Sequence, residues 1–252
     1  MIKTVNLCKT FRTEMVETTA LFNINFNVVK GEFVAIMGPS GCGKSTLLNI
    51  LGLLDNSDSG RYYFDGIEVS GFTENQRTRL RKGNIGFIFQ SFNLIDELTV
   101  YENVELPLIA LNESLSERKA KVEKMLDYMK IGHRRDHFPR QLSGGQQQRT
   151  AITRALVTNP KLILADEPTG NLDSTNGEQV MQLLEEMNAN GTTIIMVTHS
   201  VSHAERAHRI VNLFDGQLVM ERTERIFEPV SSNLIKPVND NSMDIPVIKE
   251  DR

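Results

Sequence analysis

Residues 38–45 read Gly38-Pro39-Ser40-Gly41-Cys42-Gly43-Lys44-Ser45, which fits G-x-x-x-x-G-K-[ST]. An apolar stretch, residues 33–37, precedes this run, and a Leu-rich stretch beginning at Thr46 and ending at residue 54 follows it. The order predicts a strand, a glycine-rich loop and a helix, and so a parallel α/β sheet that offers the loop at its carboxyl edge. Glycines let the backbone approach phosphate oxygens where a Cβ would collide. The loop N–H groups and the helix N-terminus then favour an anion. Lys44 is placed to meet β- and γ-phosphates, and the Ser45 hydroxyl to ligate Mg²⁺.

A second apolar run, Leu162-Ile163-Leu164-Ala165, ends in Asp166 and Glu167. Such a run reads as a buried parallel strand, with both carboxylates at its carboxyl end. Two carboxylates there are often solvated turn residues. Behind a phosphate loop, Asp166 reaches the metal shell opposite Ser45, and Glu167 can polarise an attacking water. Ser143 precedes a helix predicted from about residue 144 to 158 and stopped by Pro160. Serine is a good N-cap, and Gly144 and Gly145 leave that helix end bare for a phosphate.

Leu142-Ser143-Gly144-Gly145-Gln146 is the signature of the ABC ATPase superfamily, and the chain resembles its nucleotide-binding subunits over residues 1 to about 222. The resemblance implies an α/β, P-loop (RecA-like) ABC nucleotide-binding domain. A small antiparallel β subdomain and a helical subdomain inserted at about 91–158 complete it, and residues 223–252 form a tail. The resemblance also implies ATP and Mg²⁺. Phe11 stands where an aromatic stacks on adenine, a core aromatic being the alternative reading. Gln90 matches the glutamine that senses the γ-phosphate and joins Ser45 and Asp166 at the metal. His199, in Val-Thr-His-Ser, matches a histidine that grips the γ-phosphate. Asp173, in Asn171-Leu172-Asp173, matches a loop crossing a dimer interface. Ser143, Gly144, Gly145 and Gln146 would cap the ATP held by a second copy in a head-to-tail dimer. Lys44, Gln90, Glu167 and His199 are the implied catalytic groups.

The strings Phe87-Ile88-Phe89-Gln90-Ser91-Phe92-Asn93-Leu94 and Asp166-Glu167-Pro168-Thr169-Gly170-Asn171-Leu172-Asp173 resemble one branch, which serves lipoprotein release, macrolide export, peptide resistance and cell division. That resemblance implies an integral membrane permease subunit with an extracytoplasmic domain, an adaptor outside the membrane, and a cytoplasmic position on the inner face of the cell membrane. Regulation of a membrane-bound cell-wall-hydrolase activator is the alternative within the branch. A soluble ATPase of DNA repair or translation is a third class. Its long coiled coils or tandem cassettes are not found in this sequence.

The 28 Lys and Arg against 32 Asp and Glu give a net charge of −4, which is no nucleic-acid footprint. No stretch approaches 18 apolar residues, so no spanning helix is expected, and no secretory signal is expected at the N-terminus. Cys8 and Cys42 lack metal-type spacing and fit a reducing compartment. Cys42 lies inside the phosphate loop, so bound nucleotide is expected to shield its thiol. Phe22, Ile24, Phe26 and Val28 alternate with asparagines, predicting a half-buried strand with these four on the inner face. Residues 91–108 are too apolar for a free loop. Phe92, Leu94 and Leu98 are expected in a docking groove for the membrane partner, with Asp96 and Glu97 on its rim.

Overall fold

The computed structural model describes residues 1–12 and 17–223 of the chain. The tail expected at 223–252 therefore lies outside the described residues, apart from Thr223. Two sheets carry the molecule. The larger has six strands in the order β10-β9-β3-β8-β7-β6. Its members are β3 (Phe33–Met37), β6 (Ile85–Phe89), β7 (Leu162–Asp166), β8 (Thr193–Val197), β9 (Arg209–Phe214) and β10 (Gln217–Thr223). All neighbours are parallel except the edge pair β9–β10, the hairpin expected at Asp215-Gly216. Every central strand is buried on both faces, so each reads as a continuous apolar run. Alternate residues still take opposite sides. Ala35, Ile163, Ala165, Ile194 and Met196 join one core cluster, while Val34, Ile36, Leu162, Leu164, Ile195 and Val197 join the other.

The second cluster lies under α1 (Lys44–Leu51) and the smaller antiparallel sheet, ordered β2-β1-β4-β5. That sheet comprises β1 (Ile2–Arg12), β2 (Glu17–Val28), β4 (Ser59–Phe64) and β5 (Ile67–Glu68). The expected alternation in β2 holds for Ile24, Phe26 and Val28 but fails at Phe22, which is 53% exposed, while Leu21 is buried. The cause is a pair of opposed bulges. Thr4 pairs with Phe26 but Leu7 with Ile24, and Lys9 then pairs with Leu21. Asn6 (φ 48°) and Asn23 (φ 54°) are the left-handed residues at these slips, a conformation asparagine tolerates. One extra residue reverses every side chain beyond it.

Helix α2 (Glu74–Arg81) lays Leu80 against the second cluster. The first cluster lies under α3 (Val100–Ala110), α4 (Leu115–Tyr128), α5 (Gly144–Leu156), α6 (Ser174–Ala189) and the short α7 (Val201–Ala204). Helices α2, α3, α4 and α5 each start with a reciprocal capping box: Thr73 with Gln76, Thr99 with Glu102, Ser114 with Glu117, and Ser143 with Gln146. Most of the apolar character of 91–108 is explained by α3, whose Val100, Val104 and Leu108 are fully buried at i, i+4 and i+8. The loop before it is organised by Asn103. That wholly buried amide accepts from Ile95 N–H at 2.8 Å and donates to the carbonyls of Ile95, Leu98 and Thr99 at 3.0 Å.

Candidate active site

The carboxyl ends of four adjacent strands come to one edge. Register places Ile36 beside Val197, Val197 beside Asp166, and Asp166 beside Phe89. The chain leaves these strands into the glycine loop, Thr198-His199, Glu167 and Gln90 respectively. Residues far apart in sequence therefore meet because the strands are parallel and in step.

They line a cavity of about 720 Å³. Phe11, residues 40–46, Gln90, Asp166, Glu167 and His199 are on its wall. Gly38 and Pro39 lie just behind it, where their carbonyls accept from Lys44 Nζ at 2.8 and 2.7 Å. Two loop glycines are sterically required. A Cβ on Gly38 would lie 2.1 Å from Leu213 O, and one on Gly43, with φ 104°, 2.3 Å from Ala20 O. Gly43 is also the N-cap of α1 and offers no side-chain cap, so the first-turn N–H groups stay available to an anion.

Ser45 Oγ donates to Asp166 Oδ2 at 3.0 Å. Two hard oxygen donors at one point suit Mg²⁺, which takes one or two protein oxygens and completes its octahedron with phosphates and water. Among the described residues no group of three His, Cys, Asp or Glu is placed to hold a metal ion by itself. Gln90 shares the cavity and is exposed.

Glu167 follows Asp166 in a left-handed conformation, φ 48°, fixed by its N–H on Val197 O and by Gly170 N–H on its own carbonyl, both 3.0 Å. Its side chain is partly buried, and His199 Nε2 stands 3.0 Å from Oε1. Among the described residues that oxygen, itself buried, has no hydrogen-bond partner. Burial pushes the Glu167 carboxyl up from the ordinary glutamate range, against the pull of His199 and with a further push from Asp166. Glu167 lines the cavity, and a carboxylate poorly solvated by its own fold is suited to take a hydrogen bond from a water held there.

Ser143, Gly144, Gly145, Gln146 and Asp173 do not line this cavity. Ser143 caps α5, accepting from Gln146 N–H at 3.4 Å. Asp173 caps α6, its two oxygens accepting from Asn176 N–H at 2.9 Å and Asn176 Nδ2 at 2.7 Å, which holds its carboxyl below the usual range. These two helix starts touch, because a Cβ on Gly145 would lie 2.2 Å from Asn176 Oδ1. Asn171 Nδ2 donates to Gln90 O at 3.0 Å, bringing the loop before α6 onto the cavity edge.

Three expectations change. Cys42 is only 5% exposed and packs into the core under α1, so the protein itself shields the thiol. Phe92, Leu94 and Leu98 are half-buried, but none lines the apolar groove beside this site. That groove, about 400 Å³, is walled by Phe87, Phe89, Pro107 and Ala110, with Arg81 and Lys82 on its border in place of Asp96 and Glu97. Of the 91–98 loop only Asn93 reaches its lining; Phe92 and Asn93 are left-handed (φ 60° and 49°), their carbonyls accepting from the Arg154 guanidinium at 3.0 and 2.5 Å. Finally, Thr18, Thr19, Ala20, Asp215 and Gly216 also line the cavity that holds the loop and the carboxylates. Asp215-Gly216 read only as a hairpin turn, yet Gly216 N–H donates to Cys42 O at 3.1 Å and ties that hairpin to the loop. The β2 residues carry no signal in sequence.

A family model described as "ABC transporter" matches residues 21–170. The ABC transporter ATP-binding protein MJ1508 of Methanocaldococcus jannaschii is 51% identical over 219 residues, covering 87% of this chain and 98% of that protein. The macrolide export ATP-binding/permease protein MacB of Brucella melitensis is 48% identical over 225 residues, of which this chain spans only 35% of the length. Among solved structures, the ATP-binding cassette MJ0796, dimeric in a post-hydrolysis state with ADP and phosphate, superposes with a TM-score of 0.84 at 46% identity, covering 90% of this chain and all of that one. The chain belongs to the ABC transporter family, as one of its ATP-binding and ATP-hydrolysing cassettes.

Proposed function

We propose that two copies of this chain close head to tail around two ATP molecules and so drive an integral membrane permease subunit. The observation that carries this reading is the split site. The phosphate loop, Asp166, Glu167 and His199 share one cavity, while the bare helix end at Ser143 lies off its wall. A γ-phosphate held in the cavity therefore meets Ser143, Gly144, Gly145 and Gln146 only from a second copy. The dimeric state of MJ0796 supports this, and MacB, which bears both ATP-binding and permease functions in its name, supports the membrane partner.

Within each site, Lys44 exchanges its loop carbonyls for the phosphates, and Phe11, 46% exposed, stacks on the adenine. Ser45, Asp166 and Gln90 would hold Mg²⁺, which supplies charge neutralisation on the β- and γ-oxygens. Glu167 orients and polarises the attacking water, and His199, 3.0 Å away, holds the γ-phosphate. Phosphoryl transfer needs mainly positioning and charge stabilisation, which these groups provide. Asp173 would face the second copy. Closure would move the helical segment of about 91–158 and with it the permease, seated in the apolar groove of Phe87, Phe89 and Pro107. The assembly would hold the chain on the cytoplasmic face of the membrane and work with an adaptor beyond it.

Mixing variants tests the split site. Ser143→Arg chains and Lys44→Ala chains should each be inactive alone. A mixed dimer carries both lesions in one site and none in the other, so equimolar mixing restores up to a quarter or so of wild-type turnover if sites act singly. ATP-dependent pairing is the minimum outcome. No pairing in any mixture would refute the shared geometry.

A further inference from the structure

Gln148 lies in the second turn of α5, is fully buried, and is absent from every role described so far. Its Nε2 donates to Pro168 O at 2.5 Å. Its Oε1 is buried without a hydrogen-bond partner among the described residues. A buried acceptor left unpaired is unfavourable, and a leucine or methionine there would avoid it. What the amide supplies is a donor for the carbonyl immediately after Glu167. Pro168 has no N–H of its own, so its carbonyl is the group through which its backbone is tied, while its neighbours are held by Glu167 N–H on Val197 O and Thr169 Oγ1 on His203 Nδ1.

Gly145 and Gln148 are three residues apart and share one face of α5. The same face meets Asn176 through Gly145 and Pro168 through Gln148. The whole loop from Glu167 to the start of α6 is therefore held to α5 at both of its ends. The helix that offers Ser143 outward is the helix that sets the backbone carrying Glu167 inward.

We propose that Gln148 is a positioning residue for hydrolysis: by anchoring Pro168 O to the signature helix, it fixes Glu167 of one nucleotide site in register with the Ser143 end that serves the other. This rests on the roles of Glu167 and Ser143 proposed above. The phosphate loop and α1 touch neither Gln148 nor Pro168 through any hydrogen bond among the described residues, so ATP binding does not depend on the anchor.

The test is Gln148→Met, which keeps length and volume and removes the donor, beside Gln148→Asn, which keeps an amide too short to reach. Both are measured in the full chain with ATP and Mg²⁺. Expected is a fall in kcat of about ten-fold or more with KM for ATP within about two-fold, the pattern of an interaction lost from the transition state. Amide exchange should also quicken at Gly170 and Leu172, whose N–H groups bond Glu167 O and Thr169 O at 3.0 and 3.1 Å. If either folded variant keeps kcat within about two-fold of the parent, the proposal is overturned. A lower thermal midpoint with unchanged exchange at both amides also overturns it, leaving core packing alone. Glu167→Gln is run in parallel. If that variant turns over normally, the role of Glu167 fails and this proposal with it; if it is inactive while Gln148→Met is normal, only the positioning role fails.

Discussion

Gly145→Ala separates stability from catalysis in this fold. The new Cβ would stand 2.2 Å from Asn176 Oδ1 and 2.6 Å from its Cγ, against about 3.4 Å for ordinary contact. Relief requires a shift of about 1 Å, by the start of α5 or by Asn176. If Asn176 moves, its Nδ2 bond to Asp173 at 2.7 Å is lost; that bond is exposed, so the loss is about 1 kcal/mol. Alanine in a helix gains about 0.5–1 kcal/mol over glycine. The two nearly cancel, so the thermal midpoint should move by only a few degrees. Activity should not survive as well. The 1 Å error falls where Ser143 and Asp173 are proposed to meet the second copy, and misplacement of that size costs roughly a hundred-fold in turnover. Removing the clash with Gly145→Ala/Asn176→Ala should recover part of that loss. Phosphate release and differential scanning on the same preparations decide the matter. Full turnover in Gly145→Ala would refute the reasoning, and so would a double variant no better than the single one.

Glu167→Gln should retain ATP binding, lower turnover by roughly 10²–10⁴ as expected for a positioned base, and accumulate an ATP-bound dimer visible by gel filtration. Ala110→Glu puts a carboxylate into the wall of the apolar groove without touching the core. The isolated chain should keep its ATPase activity, while co-purification of the permease from detergent extracts falls; unchanged recovery would move docking elsewhere. Maleimide should label Cys42 slowly with or without ATP·Mg²⁺, because the thiol is already buried; rapid labelling of Cys42 in the native chain, located by peptide mass mapping to separate it from the partly exposed Cys8, would contradict the packing described here.

The parts legible in sequence were those written in local chemistry. The loop around Lys44 is set by backbone sterics, and Ser143 and Asp173 announce their helices as caps. The apolar strands behind Asp166 and His199 are recognisable as runs. What escaped depends on pairing between distant segments. Phe22 faces outward because of slips at Asn6 and Asn23, and nothing in β2 alone reveals them. Leu98 belongs to a turn wound on Asn103, and the groove formed instead from Phe87, Phe89 and Pro107, which no periodicity joins. Cys42 was legible as a loop residue but not as a core one, since α1 decides which way its side chain points. Thr18 and Gly216 reach the cavity only because the β2 and β10 strands are neighbours in space.

The segment between Gln90 and α3 has the look of an ordinary surface connection, yet it is fastened at one end by Arg154 and at the other by Asn103. A connection gripped at both ends does not bend independently of what grips it. It should resist limited proteolysis, and a chain lengthened by even one residue there would lose one fastening or the other. Held in this way it should pass displacement of the helices to Gln90 with little slack, although its chain path is that of a loop.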